Sequence, residues 1–279
     1  MTMKKFTIGY DEFEEGKRIE TEIERFAART DLGNLTSIII GDWGQAYENS
    51  SEDAVAALVK HSGSFPALRK LFIGDMHYEE CEISWITQSD LSPLLPAYPE
   101  LQSLTIKGAN DLSLSNLKHD KLEELIIISG GLSSGVLKQI AAAELPNLRK
   151  LELYLGMENY GFDGSLKDIL PLIEPGKFPK LTYLGLKNSE IEDEIAVALA
   201  DAPILDQLET LDLSCGTLGD VGAAALLAST RVKGLKAISL SHHFMSESMM
   251  ERWKQSGLPA DLSERQDSND EWRYTTIAE

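Results

Sequence analysis

The chain has 279 residues, 43% hydrophobic and 25% charged, a balance that belongs to a folded domain and excludes a disordered tract. Its 26 Lys plus Arg face 45 Asp plus Glu, and the resulting charge of −19 argues against nucleic acid or an anionic membrane surface as partner. No apolar run approaches the roughly 18 residues of a membrane span, and the opening MTMKKFTIGYDEFEE turns acidic too soon for a secretory signal, so the expected location is the cytoplasm.

Residues 1–34 are read as an N-terminal cap. Phe6, Ile8 and Tyr10 alternate with polar neighbours, a short strand signal. Ile19, Ile23 and Phe26 follow at helical spacing, with Gly33 placed to end the helix. From Leu35 to Gly257 one aliphatic triplet then recurs, L-x-x-L-x-L. It stands at Leu35/Ile38/Ile40, Leu68/Leu71/Ile73, Leu101/Leu104/Ile106 and Leu122/Leu125/Ile127. It returns at Leu148/Leu151/Leu153, Leu181/Leu184/Leu186, Leu208/Leu211/Leu213 and Leu235/Ile238/Leu240. Each triplet predicts a short strand with its aliphatics on one face.

In four repeats a second apolar series begins five residues after the strand, with members four and eight residues further on. The series are Leu132/Val136/Ile140, Ile191/Ile195/Leu199, Leu218/Gly222/Leu226 and Met245/Met249/Trp253. That spacing predicts helices with one apolar face. Repeat three has only KGANDLSLSNLKHDK before the next strand, too short for a full helix, so a tight turn is expected there. Residues 258–279 break the pattern and are read as a C-terminal cap or tail. In them GLPADLSERQ offers one irregular strand and EWRYTTIAE a closing segment.

These triplets resemble leucine-rich repeat proteins of the ribonuclease-inhibitor-like type. The resemblance implies an α/β solenoid, a horseshoe with an inner parallel sheet of about eight strands, outer helices and turns, and a non-repeat cap at each end. One departure is plain. The family's Asn or Cys, three residues after the strand, is replaced by Trp43, Met76, Ala109, Gly130, Gly156, Ser189, Gly216 and His243. IIIGDWGQAYENSS, LELYLGMENYGFDG and LDLSCGTLGDVGAAALL further resemble a bacterial family of cytoplasmic leucine-rich repeat proteins with no assigned activity, which implies no catalytic residues.

Function is therefore sought on the residues between the aliphatics, which face the concave side of such an arc. There Phe72, Ile126, Ile128, Tyr154 and Tyr183 stand where a solvated sheet is normally polar, with Lys70, Lys107, Lys150 and Lys187 around them. Apolar anchors with a charged rim are the pattern of a protein- or peptide-binding surface. The alternative is that the long loops of repeats one and two fold over the patch. Self-association through the same face is a further alternative.

A second candidate edge is formed by GDW at Gly41–Trp43 and GDM at Gly74–Met76, which place Asp42 and Asp75 on adjacent loops. Two such carboxylates can bind a cation or act as acid and base, but Asp more commonly caps loop amides or an adjacent helix. Asp212, Ser214, Ser239, Ser241 and His242 offer the letters of a hydrolase triad, but parity puts His242 on the side opposite Ser241 and no nucleophile elbow accompanies them. Neither C-x-x-C nor H-E-x-x-H occurs. No catalytic, cofactor or metal residues are expected, and Cys81 and Cys215, roughly 24 Å apart at the strand spacing, are expected as free thiols.

Overall fold

The structure is a computed structural model and describes residues 2–267 and 272–278. Part of the polar tract SERQDSNDE, from residue 268 to 271, lies outside the described residues. The chain divides into two compact units: Met1–Ile128 with Ala142–Asn147, and Ser129–Ala141 with Leu148–Ala278.

In the first unit the elements run β1 (Met3–Ile8), α1 (Tyr10–Glu14), α2 (Ile19–Ala27), β2 (Ser37–Trp43), α3 (Glu52–Lys60), β3 (Lys70–Ile73), α4 (Leu94–Ala97), β4 (Ser103–Lys107) and β5 (Glu124–Ile128). The strands are parallel and follow chain order. Their register aligns Ile38, Leu71, Leu104 and Leu125 in one row and Ile40, Ile73, Ile106 and Ile127 in the next. All eight side chains are fully buried. Each such aliphatic contributes about 1.5–3 kcal/mol when removed from water, and the rows are covered only because successive strands stack.

The second unit contains α5 (Ser134–Ala142) up to its last residue, β6 (Lys150–Gly156), α6 (Leu166–Ile169), β7 (Tyr183–Ser189), α7 (Glu192–Ala200), β8 (Thr210–Asp212), α8 (Asp220–Ala228), β9 (Ala237–Ser239), α9 (Glu247–Ser256) and β10 (Ala260–Asp261). These strands too are parallel and in chain order, with Leu151, Leu184, Leu211 and Ile238 in one buried row. Val136 and Ile140 on α5, Ile195 and Leu199 on α7, Gly222 and Leu226 on α8, and Met249 and Trp253 on α9 are all buried. Spacing of four thus puts one apolar stripe of each helix against its own unit.

All eight triplets form strands, and the described strands number ten because the residues flanking the repeats add β1 and β10. Repeat three carries no helix among its described residues 108–123 and buries Leu112, Leu114 and Leu117 through turns. Gly33 does not end the cap helix. The apolar stripe of α2 runs out after Ala27, and the chain turns there so that Leu32 enters the core.

The strand ends and the turns after them show what replaces the missing Asn or Cys. Gly74, Gly108 and Gly156 adopt left-handed φ of 93°, 88° and 81°, and Asn188, Cys215 and His242 adopt 56°, 71° and 57°. The latter three each stand two residues beyond the third aliphatic. Their N–H groups bond the carbonyls of Ser214, Ser241 and Ser263, so a backbone ladder continues where the side-chain ladder is absent.

Truncating a buried row residue leaves a cavity that stacked neighbours cannot close. Leu125→Ala and Leu184→Ala should each lower stability by about 2–5 kcal/mol in urea unfolding. Ile126→Thr, one residue along and on the other face, should lower it by less than about 1 kcal/mol.

Candidate functional site

The strand faces opposite the buried rows carry Phe72, Lys107, Ile126 and Ile128 in the first unit and Tyr154, Tyr183 and Lys187 in the second. In the first unit one register row runs Lys5, Ile39, Phe72, Thr105, Ile126, with Lys107 and Ile128 paired in the row beyond. Phe72, Ile126, Ile128 and Lys107 are all half-buried. Trp43 is buried, with its indole N–H donating to the Asn49 carbonyl at 2.8 Å, and Trp85 is 60% exposed. Of the surrounding lysines, Lys107 donates to the Met76 carbonyl at 2.5 Å and Lys5 to the Asp75 carboxylate at 2.9 Å. Lys70 is exposed.

The second unit presents a different surface at the equivalent rows. Lys150 and Tyr183 pair in register, as do Glu152 and Gly185, and Tyr154 and Lys187. Lys187 lies 3.2 Å from Glu152 and 3.3 Å from Asp212 and donates to the Tyr154 hydroxyl at 3.0 Å. Glu152 also pairs with Lys150 at 2.7 Å, and the Tyr183 hydroxyl donates to Asp212 at 2.7 Å. Gly185 makes room for this: it stands between Glu152 and Asp212, and a Cβ there would sit 3.2 Å from both the Glu152 Cγ and the Tyr183 ring.

The charges settle one another. Burial alone would depress the Lys187 ammonium, but its bond to Tyr154 and the carboxylates of Asp212 and Glu152 outweigh burial and hold its pKa above the usual value. Burial would likewise raise the Asp212 carboxyl, and hydrogen bonds from Ser214 and Tyr183 together with the Lys187 charge lower it instead. Burial, then the Asp212 charge, pushes the Tyr183 phenol upward. Tyr154, Tyr183 and Lys187 are therefore brought together, but as a neutral, cross-braced cluster. Lys187 is a counter-ion within it.

The chain matches no family model. The crystal structure of a Bacteroides fragilis protein superposes with a TM-score of 0.89 at 38% sequence identity, covering 98% of this chain and 77% of that one. This is a leucine-rich-repeat protein of the same family as that Bacteroides chain. Monocyte differentiation antigen CD14 of Mus musculus is 29% identical over 217 residues, which is 75% of this chain and 56% of that protein's length. The chain therefore spans little more than half of that curated relative.

The other nominated constellations can be placed on the repeats. Asp42 does not stand on a loop: it is buried next to the last residue of β2, and its Oδ1 accepts the Gly44 N–H at 2.9 Å. Burial raises its pKa, and loop amides oppose the rise. Asp75 is bonded to Lys5. The described residues contain no group of three metal-ligating side chains. Asp212 belongs to the Lys187 cluster, whereas His242 is buried and directs Nδ1 to the Gly216 carbonyl at 3.1 Å. Among the described residues no hydrogen bond joins His242 to Ser214, Ser239 or Ser241, so the triad letters do not assemble. Cys81 and Cys215 are both free, and burial lifts the Cys81 thiol to about 11. No described helix is long and apolar enough to cross a membrane.

Sequence reasoning missed Glu192. It begins α7 fully buried, accepts the Leu218 N–H through Oε2 at 3.2 Å, and leaves Oε1 without a partner among the described residues. A Cβ on Gly216 would overlap that carboxyl, so Gly216 in the next repeat is the only hint in the letters. Burial holds its pKa well above the usual carboxylate range.

Two measurements follow from these charges. Lys187→Met leaves Glu152 and Asp212 without their shared cation and should destabilise the protein by about 3 kcal/mol in urea unfolding at neutral pH. For Glu192 the folded pKa is raised, so the folded chain holds a proton that the unfolded chain releases. Its stabilising effect is present at low pH and lost as pH rises from the ordinary carboxylate range toward the folded pKa. Wild-type stability should therefore fall relative to Glu192→Gln over that interval, and melting curves across pH will read the difference.

Proposed function

We propose that the protein is a non-enzymatic scaffold that binds another protein or a peptide through the strand face of its first unit. The observation that carries the reading is the half-exposed row of Phe72 and Ile126, with Ile128 beside it, on strands whose opposite face is wholly buried. A row of this kind gives a partner apolar anchors on a rigid base, at little conformational cost to the scaffold. Lys70 and Lys107 supply a polar edge. Tyr154, Tyr183 and Lys187 on the second unit offer aromatic rims around an already neutralised cluster, which favours a partner that contributes hydrogen bonds there over one that contributes charge.

The leucine-rich-repeat relatives support an interaction role, and the net charge of −19 favours a basic or neutral partner over a second copy. A cytoplasmic setting fits the two free thiols. Asp42 accepts a loop amide and the Asp75 carboxylate pairs with Lys5, contacts that support the capping reading of both residues.

Peptides selected from a display library on the full chain will test the face. Phe72→Glu and Ile126→Lys should each weaken such peptides by at least about tenfold, the effect of losing one buried anchor. Ala237→Glu, exposed on β9, should leave them unchanged. Peptides indifferent to both first-unit substitutions would sink the proposal.

A further inference from the structure

The described end of the chain, residues 272–278, is neither helix nor strand, yet the second unit holds it as a receptor holds a peptide. Asn188 is fully buried and left-handed. Its Oδ1 accepts the Ile277 N–H at 2.8 Å, and its Nδ2 donates to the Ile277 carbonyl at 2.6 Å. One side chain thus satisfies both backbone groups of one residue, as a neighbouring strand would, whatever side chain that residue carries. The Thr276 N–H donates to the Cys215 carbonyl at 2.8 Å.

Side chains supply selectivity further along. The Tyr274 ring stands edge-on to His242 and Phe244, with centroids 5.4 and 5.6 Å apart. Arg273 donates Nη1 to the Asp193 carboxylate and to the Thr217 carbonyl, both at 3.1 Å. The walls are shaped for close approach. A Cβ on Gly130 would lie 2.5 Å from the Ala278 carbonyl oxygen, and one on Gly219 would collide with the Arg273 guanidinium. Gly219 has φ −111°, which any residue can adopt, so its missing side chain answers to the segment lying on it and not to the backbone.

We propose that the loops following β7, β8 and β9, with Gly130, form a groove for an extended peptide in which an Arg-aromatic pair precedes residues read through their backbone. Residues 272–278 occupy this groove in cis and are displaced when a partner peptide of that chemistry binds. The groove is separate from the first unit's strand face and does not depend on that reading.

The probe is a fluorescein-labelled peptide of residues 272–279, titrated into the full-length chain. A tethered segment competes at an effective concentration of about millimolar, so wild type should bind the probe weakly. Full-length Arg273→Ala/Ile277→Pro loses the Asp193 pair and the N–H that Asn188 accepts, and should bind the probe at least about tenfold more tightly. Adding Asn188→Gly, which keeps the left-handed backbone, should abolish that gain. A folded double variant that binds no better than wild type would overturn the proposal. Should the double variant fail to fold, hydrogen exchange on wild type decides. Release from the groove requires the Thr276 and Ile277 amides to exchange at least about a hundredfold faster than those of Leu184 and Leu211, and equal protection would overturn it. A dimer that the probe dissociates would place a second copy's segment in the groove and overturn the cis arrangement.

Discussion

Everything in this protein depends on one constraint: an aliphatic row on one face of a strand can leave water only if the next strand brings an identical row alongside. No repeat satisfies that demand alone. The parallel register that aligns Ile38 with Leu71, Leu104 and Leu125, and Leu151 with Leu184, Leu211 and Ile238, is the solution in each unit. Once those rows are buried, strand alternation leaves the intervening residues nowhere but the opposite face. The chemistry displayed there is a by-product of burial that the chain is free to vary.

The two units use that freedom differently. The first sets Phe72 and Ile126 in one register row on either side of Thr105, with Ile128 two residues beyond Ile126, and leaves all three apolar side chains half-exposed. The second sets two lysines and two carboxylates around Gly185 and braces them with Tyr154 and Tyr183. A close-knit set of charges is stable there because each ion keeps a partner and a hydrogen bond, where a lone buried charge would be costly. Glu192 shows the other resolution. Burial, opposed only by the Leu218 amide, pushes its pKa well above the usual carboxylate range.

Backbone groups at the ends of the strands pose the matching problem in polar terms. Left-handed residues at or just beyond the strand ends turn N–H groups toward the next repeat, and Asn188, whose own N–H bonds the Ser214 carbonyl, has its side chain left to hold Ile277. The same buried asparagine thus shapes a turn and grips the terminal segment.

The amino-acid sequence by itself determined the repeat, all eight of its strands and four of its helices, because periods of two and of four are local properties that burial then enforces. It also placed Phe72 and Ile126 in the first unit, and Tyr154 and Lys187 in the second, on the strand face opposite that unit's buried rows. It could not show that Lys187 meets Glu152, 35 residues earlier, and Asp212, 25 residues later, since that meeting depends on register between strands. It placed the end of the cap helix at Gly33, whereas the burial of Leu32 decided an earlier stop. Only tertiary structure decided which lysines are neutralised, which carboxyl is buried alone, and that residues 272–278 return to the loops of distant repeats. Each of these is a contact between residues far apart in the chain, and no local pattern encodes it.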